Sequence, residues 1–177
     1  MFNLSNKIVV ITGGAGKLGS KHAEAVAEFG AIPIILDLSQ AAVNKIVLSI
    51  KTQYGINASG FQVDITNEKQ VSECCQEIIL LYGKIDVLIN NATNNPKVED
   101  AKKDKNFSRL ENYDLSKWNQ DISVGLTGSF LCASTLVLRF QKILTVEVLL
   151  ISPLIWELWH LIRNCINKII LLMMSKL

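Results

Sequence analysis

The sequence predicts an α/β fold built on a doubly wound parallel sheet. Short apolar runs rich in β-branched residues alternate with segments of helical periodicity, and glycines end several of the helical segments. The chain has 177 residues, of which 49% are hydrophobic, so it can bury one sizeable core. Strands that alternate with helices in this way are typical of right-handed βαβ units.

The first unit consists of a strand, a glycine turn and a helix. Residues 7–12, KIVVIT, form the short apolar run expected of a parallel strand that is covered on both faces. A glycine cluster ends this run. Between Leu18 and Phe29 apolar side chains recur along one helical side, and Gly30 supplies the helix stop.

Three further strands follow in the predicted order. The run AIPIILDL ends with Asp37 and Leu38 and leads into a helical stretch, AAVNKIVLSIKTQYG. The run GFQVDIT is the third strand, and the helix after it begins near Thr66 and stops at Gly83. The fourth strand is IDVLINNA. The polar stretch from Thr93 to Ser116 then predicts a solvated loop, and a further helix runs through DISVGLTGSFLCAS.

The sequence pattern changes after about Thr135. The segment 135–177 has few glycines, few acids and no clean period of either a strand or a helix. We therefore expect a folded α/β region at 1–134 and an atypical apolar tail at 135–177. Charged side chains interrupt the apolar stretches of the tail, so no membrane span is expected.

Composition and charge narrow the classes of partner. The formal net charge of +2 comes from nearly balanced acids and bases, which gives no field that would draw in nucleic acid. We therefore expect a small-molecule partner. The N-terminus lacks the regions of a signal peptide, which favours a cytoplasmic location. Four cysteines without metal-ligand spacing predict free thiols and no metal site; they are Cys74, Cys75, Cys132 and Cys165.

The turn after the first strand has the context of a dinucleotide-binding site. It reads TGGAGKLG at residues 12–19 and leads directly into a helix. Glycines here let the backbone turn tightly and approach a pyrophosphate, while the helix N-terminus presents free N–H groups to it. The alternative is an ordinary strand-to-helix turn. The candidate cofactor-binding residues of this turn are Gly13, Gly16, Lys17, Leu18 and Gly19.

Asp37 indicates which dinucleotide would bind. It stands at the end of the second strand, eighteen residues beyond Gly19, where a carboxylate can hydrogen-bond both ribose hydroxyls of an adenosine. The same charge would repel a 2′-phosphate, so NAD is favoured over NADP. The alternative is an acid that caps the following helix.

Four segments resemble the short-chain dehydrogenase/reductase family in their order and spacing. They are TGGAGKLG, Asp37, the VDIT segment with Asp64, and the segment Asn90-Asn91-Ala92 at the end of the fourth strand. The resemblance covers about residues 5–134. It implies a Rossmann-like fold that is incomplete at its C-terminal side, with hydride transfer between a nicotinamide and an alcohol or carbonyl as the reaction.

The resemblance also implies roles for individual residues. Asp64 and Ile65 would contact the adenine, and Asn90, Asn91 and Ala92 would line the cofactor. We therefore interpret the region 1–134 as an NAD-binding, Rossmann-type region.

Three positions depart from the family pattern. Lys17 occupies the position of the middle glycine of the turn, while Gly16 precedes it. Thr93 replaces the glycine that usually closes the Asn-Asn-Ala segment. Gly125 stands where the family typically has a catalytic asparagine, so that role is missing from this chain.

We assign no catalytic residues. The family uses a serine after the fifth strand and a Tyr-x-x-x-Lys motif on the next helix, in which the tyrosine supplies the proton. Tyr113 and Lys117 fit that spacing, but they precede the helix that the motif should follow. We therefore expect an NAD-dependent oxidoreductase that is inactive as printed. The alternative is a non-catalytic NAD-binding module with an association tail, and the sequence gives no support for an oligomer.

The tail leads to a hypothesis about the coding sequence. A reading frame shifted by one base permits Gly-Gly-Ile-Ile-Asn-Ile-Ser-Ser-Asp-Leu-Gly-Val in place of residues 146–158. That alternative sequence contains a plausible strand followed by a pair of serines, at the distance expected after the helix. We therefore interpret the tail as the frameshifted translation of an ordinary family gene.

Overall fold

A computed structural model describes residues 3–94 and 114–136, together with the backbone of a short strand at 147–149. Five parallel strands form one sheet in the order β3-β2-β1-β4-β5. Helices connect the strands, which confirms the predicted α/β fold. The elements in chain order are β1 Ile8–Thr12, α1 Lys17–Glu28, β2 Ile32–Asp37, α2 Gln40–Tyr54, β3 Ser59–Gln62, α3 Glu68–Tyr82, β4 Val87–Asn90, α4 Leu115–Ile122, a π-helical segment Ser123–Gly128, α5 Ser129–Leu136 and β5 Glu147–Leu149.

The strand register brings the ends of three strands together at one edge of the sheet. Strand β1 lies between β2 and β4, with Thr12 opposite Leu36 on one side and opposite Asn90 on the other. Strands β2 and β3 are added on one side of β1, whereas β4 and β5 are added on its other side, so the order of the strands reverses between β1 and β4. In open parallel sheets this switch point leaves a crevice at the carboxyl ends of the strands.

Two hydrophobic clusters cover the two faces of the sheet. Ile8 and Val10 point into the cluster that contains buried residues of α3 and α5, whereas Val9 and Ile11 point into the cluster with α1 and α2. These four apolar side chains of β1 are almost fully buried. The apolar runs of the sequence therefore reflect strands covered on both faces, as predicted.

Local sequence explains where the helices begin and end. The Ser39 hydroxyl accepts the Ala42 N–H at 3.3 Å at the start of α2. The Asn67 side chain likewise accepts the Gln70 N–H at the start of α3, one residue beyond the predicted start at Thr66. Both helices end at a glycine, Gly55 or Gly83, whose φ of 68° or 73° favours a residue without a Cβ.

Asp86 connects the start of β4 to the start of β1, at the end of the sheet opposite the crevice. Its carboxylate accepts the Ile8 N–H at 2.8 Å and pairs with Lys84 and Lys7 at 2.8 and 3.2 Å. Burial opposes ionisation of this side chain, but the bonds from Lys84, Ile8 and Lys7 outweigh it and hold the pKa of the carboxyl below its ordinary value. The charged form of Asp86 therefore stabilises the sheet.

The last helical region differs from the uninterrupted helix that the sequence predicts. Gly125 and Gly128 are buried within the π-helical segment, and the Ser129 hydroxyl donates to the Gly125 carbonyl at 2.7 Å. A Cβ at Gly128 would lie 2.7 Å from Ile65 Cδ1, so this segment approaches the end of β3 closely. None of the helices in the described ranges is long and apolar enough to cross a membrane.

Most of the predicted tail lies outside the described residues, and so does Tyr113. Strand β5 is the part of the tail beyond Leu136 that is described. It pairs with β4 in parallel, with Val148 opposite Leu88. The boundary predicted at residue 134 stays a prediction.

Candidate functional site

A cleft of about 570 Å³ opens at the carboxyl ends of β1, β2 and β4. Its volume lies within the usual range of small-molecule sites. The structure brings to this cleft every sequence-predicted site residue except Asn90. Those residues are Gly13, Gly16, Lys17, Leu18, Gly19, Asp37, Asp64, Ile65, Asn91 and Ala92.

The glycine turn forms one wall of the cleft. Gly13 has a φ of 61°, and its carbonyl accepts the Gly16 N–H at 3.1 Å, which closes the turn. Gly14 donates to the Leu36 carbonyl at 3.1 Å and so ties the turn to β2. These bonds hold the backbone close to the cleft, as a phosphate-binding turn requires.

Gly19 packs helix α1 against that turn. A Cβ at this position would lie 2.2 Å from the Gly13 carbonyl oxygen and 2.9 Å from Asn91 Nδ2. A Cβ at Gly16 would meet a milder contact, at 3.2 Å from the same oxygen. The absence of a side chain is therefore required at Gly19, where the helix contacts both the turn and the end of β4.

The N-terminus of α1 presents backbone donors to the cleft. Gly16 is the N-cap residue and offers no side chain to the first N–H groups, and no acid lies in the first turn. Lys17 is the first residue of the helix, with an exposed side chain, and both residues line the cleft. The lysine therefore occupies the glycine position of the family pattern without steric conflict.

Asp37 lies across the turn from this helix end. Its Oδ2 accepts the Ala15 N–H at 3.1 Å and its Oδ1 accepts the Ser39 N–H at 3.4 Å. Helix α2 is capped by the Ser39 hydroxyl rather than by this carboxylate. The structure therefore does not support the alternative in which Asp37 serves as the helix cap.

Asp64 and Ile65 form the wall beyond β3. The Asp64 carboxylate accepts both the N–H and the hydroxyl of Thr66, at 2.9 and 2.7 Å, so it shapes the turn that follows the strand. Ile65 is 6% exposed and yet lines the cleft, where it gives an apolar surface. An apolar side chain and a carboxylate therefore lie side by side at this wall of the cleft.

Asn91 binds the end of β4 to the glycine turn. Its Nδ2 donates to the carbonyls of Thr12 and Gly13, at 3.0 and 3.1 Å. The Thr12 hydroxyl accepts the N–H groups of Asn91 and Ala92, at 3.0 and 3.1 Å. These four bonds fix the side of the cleft that lies opposite Asp37.

Asn90 occupies a different position from the one the sequence indicates. It is fully buried below the cleft, and its Nδ2 donates to the Ser129 carbonyl at 3.4 Å. Its Oδ1 is buried without a hydrogen-bond partner among the described residues. Asn90 therefore connects the sheet to α5 and does not line the cleft.

Five lining residues were not predicted from the sequence. Four of them adjoin predicted residues at strand ends, so their places in the chain could have indicated them. Val124 comes from the π-helical segment and gives no such signal, because its approach depends on long-range packing. The five are Leu36, Leu38, Val63, Thr93 and Val124.

The described cysteines do not supply a nucleophile to the cleft. Cys74, Cys75 and Cys132 are buried and form no disulfide among the described residues, and none of them lines the cleft. Burial raises the pKa of the Cys74 and Cys132 thiols to about 12, so both stay protonated near neutral pH.

Comparisons with known proteins agree with this architecture. The sequence model of the short chain dehydrogenase family matches residues 7–147. The chain is 28% identical over 159 residues to the NADP-dependent mannitol dehydrogenase of Alternaria alternata, a match that covers 87% of this chain and 55% of that protein. It is 33% identical over 135 residues to the NAD-dependent glycerol dehydrogenase of Listeria innocua, with 75% of this chain and 46% of that protein covered.

A solved structure shows the same fold. NAD+-bound xylitol dehydrogenase matches with a TM-score of 0.75 at 22% identity, over 84% of this chain and 54% of that one. The chain thus spans about half the length of these relatives. Because the family's sequence model matches residues 7–147, which is most of the 177 residues, the chain belongs to the short-chain dehydrogenase family.

Proposed function

We propose that the cleft binds a nicotinamide adenine dinucleotide and that it favours NAD over NADP. The observation that carries this proposal is the position of Asp37, whose carboxylate lies on the cleft and is held by the Ala15 N–H of the glycine turn. The glycine turn and the open N-terminus of α1 would receive the diphosphate. The apolar wall at Ile65 would receive the adenine.

The preference for NAD follows from charge. A carboxylate accepts hydrogen bonds from the two ribose hydroxyls, whereas a 2′-phosphate in the same place would bring two like-charged groups together. The cleft-lining residues include two carboxylates, Asp37 and Asp64, and one cation, Lys17. Among the described residues on the cleft, no arginine is placed to receive a 2′-phosphate.

The test compares the affinities of both cofactors by titration calorimetry of the full chain. We expect NAD+ to bind more tightly than NADP+, and we expect Asp37→Asn to reduce that ratio. Glu73→Gln is the matched control, since Glu73 is an exposed acid on α3 that does not line the cleft. Tighter binding of NADP+ to the unmodified chain would contradict the proposed preference.

For the whole protein we propose hydride transfer between NAD and an alcohol or carbonyl, in keeping with the family. For the chain as printed we propose cofactor binding without turnover. Gly125 stands at the family's asparagine position, and the described cysteines do not reach the cleft. A panel of alcohols and carbonyls with NAD+ or NADH, monitored at the nicotinamide absorbance, should show no rate above background. A rate that disappears in Tyr113→Phe would overturn this proposal.

We propose further that the printed tail follows a one-base shift of the reading frame. The proposed shift lies after about Ser134, and the alternative reading from Val146 begins close to the end of the family match at residue 147. Strand β5 lies at Glu147–Leu149, the place where that reading also encodes an apolar strand. Sequencing the coding DNA beyond residue 130 tests this. The alternative frame should contain a Tyr-x-x-x-Lys motif downstream, and its absence would refute the shift.

A further inference from the structure

Lys17 is the cation of the cleft, and it stands at the start of α1. Lys17 is an exposed residue and one of those that line the cleft, and the other charged residues among the described lining residues are Asp37 and Asp64. Within the described ranges Lys17 forms no ion pair, in contrast to Lys21, which pairs with Glu24 one turn further along the helix. The Lys17 ammonium is therefore available to a ligand.

A lysine at this place opposes the intrinsic charge of the helix. The N-terminus of an α-helix carries a partial positive charge, so a cation in the first turn is unfavourable there. Helix α1 has no acid in its first turn and no side-chain cap that would offset the repulsion. An anion bound at the helix end would offset it, because the anion interacts favourably with both the ammonium and the backbone N–H groups.

We propose that the Lys17 ammonium binds the diphosphate of the dinucleotide and makes cofactor binding by this chain sensitive to salt. This inference rests on the proposed function of the cleft. The glycine that the family pattern has at this position cannot make such a contact. The ammonium also compensates the negative charge that Asp37 and Asp64 bring to the cleft, which would otherwise repel the diphosphate.

The test measures binding of NAD+ and of adenosine to the full chain and to Lys17→Gln. At about 50 mM salt we expect the variant to bind NAD+ about two- to fivefold more weakly, since a single exposed charge contact contributes a small screened attraction of this size. At about 500 mM salt the difference should shrink, because screening weakens the contact in the unmodified chain. Adenosine has no phosphate, so its affinity should not change.

Two control variants complete the experiment. Lys17→Arg keeps the charge and should keep most of the NAD+ affinity, while Lys21→Gln removes a cation of α1 that does not line the cleft and should leave it unchanged. Equal NAD+ affinity of Lys17→Gln and the unmodified chain at low salt would overturn the inference, as would an equal loss of adenosine affinity. If NAD+ does not bind the unmodified chain, both the proposed function and this inference are wrong.

Discussion

Replacing Gly19 with alanine should destabilise the protein, although the same change inside an ordinary helix is stabilising. Alanine is favoured over glycine in a helix interior by about 0.5–1 kcal/mol. Here the added Cβ would lie 2.2 Å from the Gly13 carbonyl oxygen, 2.7 Å from Gly14 Cα and 2.9 Å from Asn91 Nδ2. Two of these three neighbours are backbone atoms, so they move only if the whole turn moves.

The expected magnitude follows from the two opposing effects. Forcing an extra methyl group into a packed site costs about 1–3 kcal/mol, which exceeds the helical gain. We therefore expect Gly19→Ala to lower the free energy of unfolding by about 1–2 kcal/mol, or the melting temperature by about 2–8 °C. Because the displaced atoms belong to both walls of the cleft, the affinity for NAD+ should fall as well.

The assay is urea unfolding of the full chain, followed by circular dichroism, with NAD+ titration of the same samples. Gly16→Ala is the matched control in the same turn, since its Cβ would lie 3.2 Å from the Gly13 oxygen, and its effect should be smaller. The steric reasoning would be refuted if Gly19→Ala proved as stable as the unmodified chain or more stable.

Three further predictions concern other contacts. Thr12→Val should lower the free energy of unfolding, measured by urea unfolding, by about 1–3 kcal/mol, because the Ala92 N–H loses its acceptor. The control is Thr12→Ser, which keeps the hydroxyl. A valine variant as stable as the serine variant would contradict this prediction. The stability contributed by Asp86 is present above the unfolded pKa of about 3.9 and is lost as pH falls through its lower folded pKa. Asp86→Asn should therefore flatten the acid limb of a stability-against-pH curve, and an unchanged limb would count against it. Cys74 and Cys132 have thiol pKa values of about 12, so they should resist alkylation by iodoacetamide at pH 8 until urea unfolds the chain. Peptide mass spectrometry measures the labelling. Rapid labelling of the folded chain would be inconsistent with their burial.

The sequence was sufficient to predict strands β1 to β4, the helices between them and their order, because each signal is local, whereas β5 in the tail was not predicted. Apolar runs such as KIVVIT identify strands buried on both faces, and Gly55 and Gly83 end helices through their positive φ angles. Strand bounds were less accurate. The predicted third strand extends through Thr66, whereas β3 ends at Gln62, because the Asp64 carboxylate bonds Thr66 and turns the chain away from the sheet.

Part of the candidate site could also be predicted, because its signals are local in the sequence. The glycine turn and Asp37 follow directly from strand ends, which a parallel sheet brings to one edge. Two features depend on packing between distant residues and gave no local signal. Val124 reaches the cleft from the π-helical segment, and Asn90 turns toward Ser129 instead of the cleft. Periodicity alone predicts an unbroken helix through Gly125 and does not reveal the π-helical segment.

Hydrogen exchange of the full chain, with and without NAD+, tests whether the cleft at the carboxyl ends of β1, β2 and β4 is the cofactor site. We expect NAD+ to slow exchange in peptides that cover residues 12–19, 36–38, 63–65 and 91–93 and to leave the turns at Gly55 and Gly83 unchanged. Protection confined to other parts of the chain, or no protection at saturating NAD+, would contradict it.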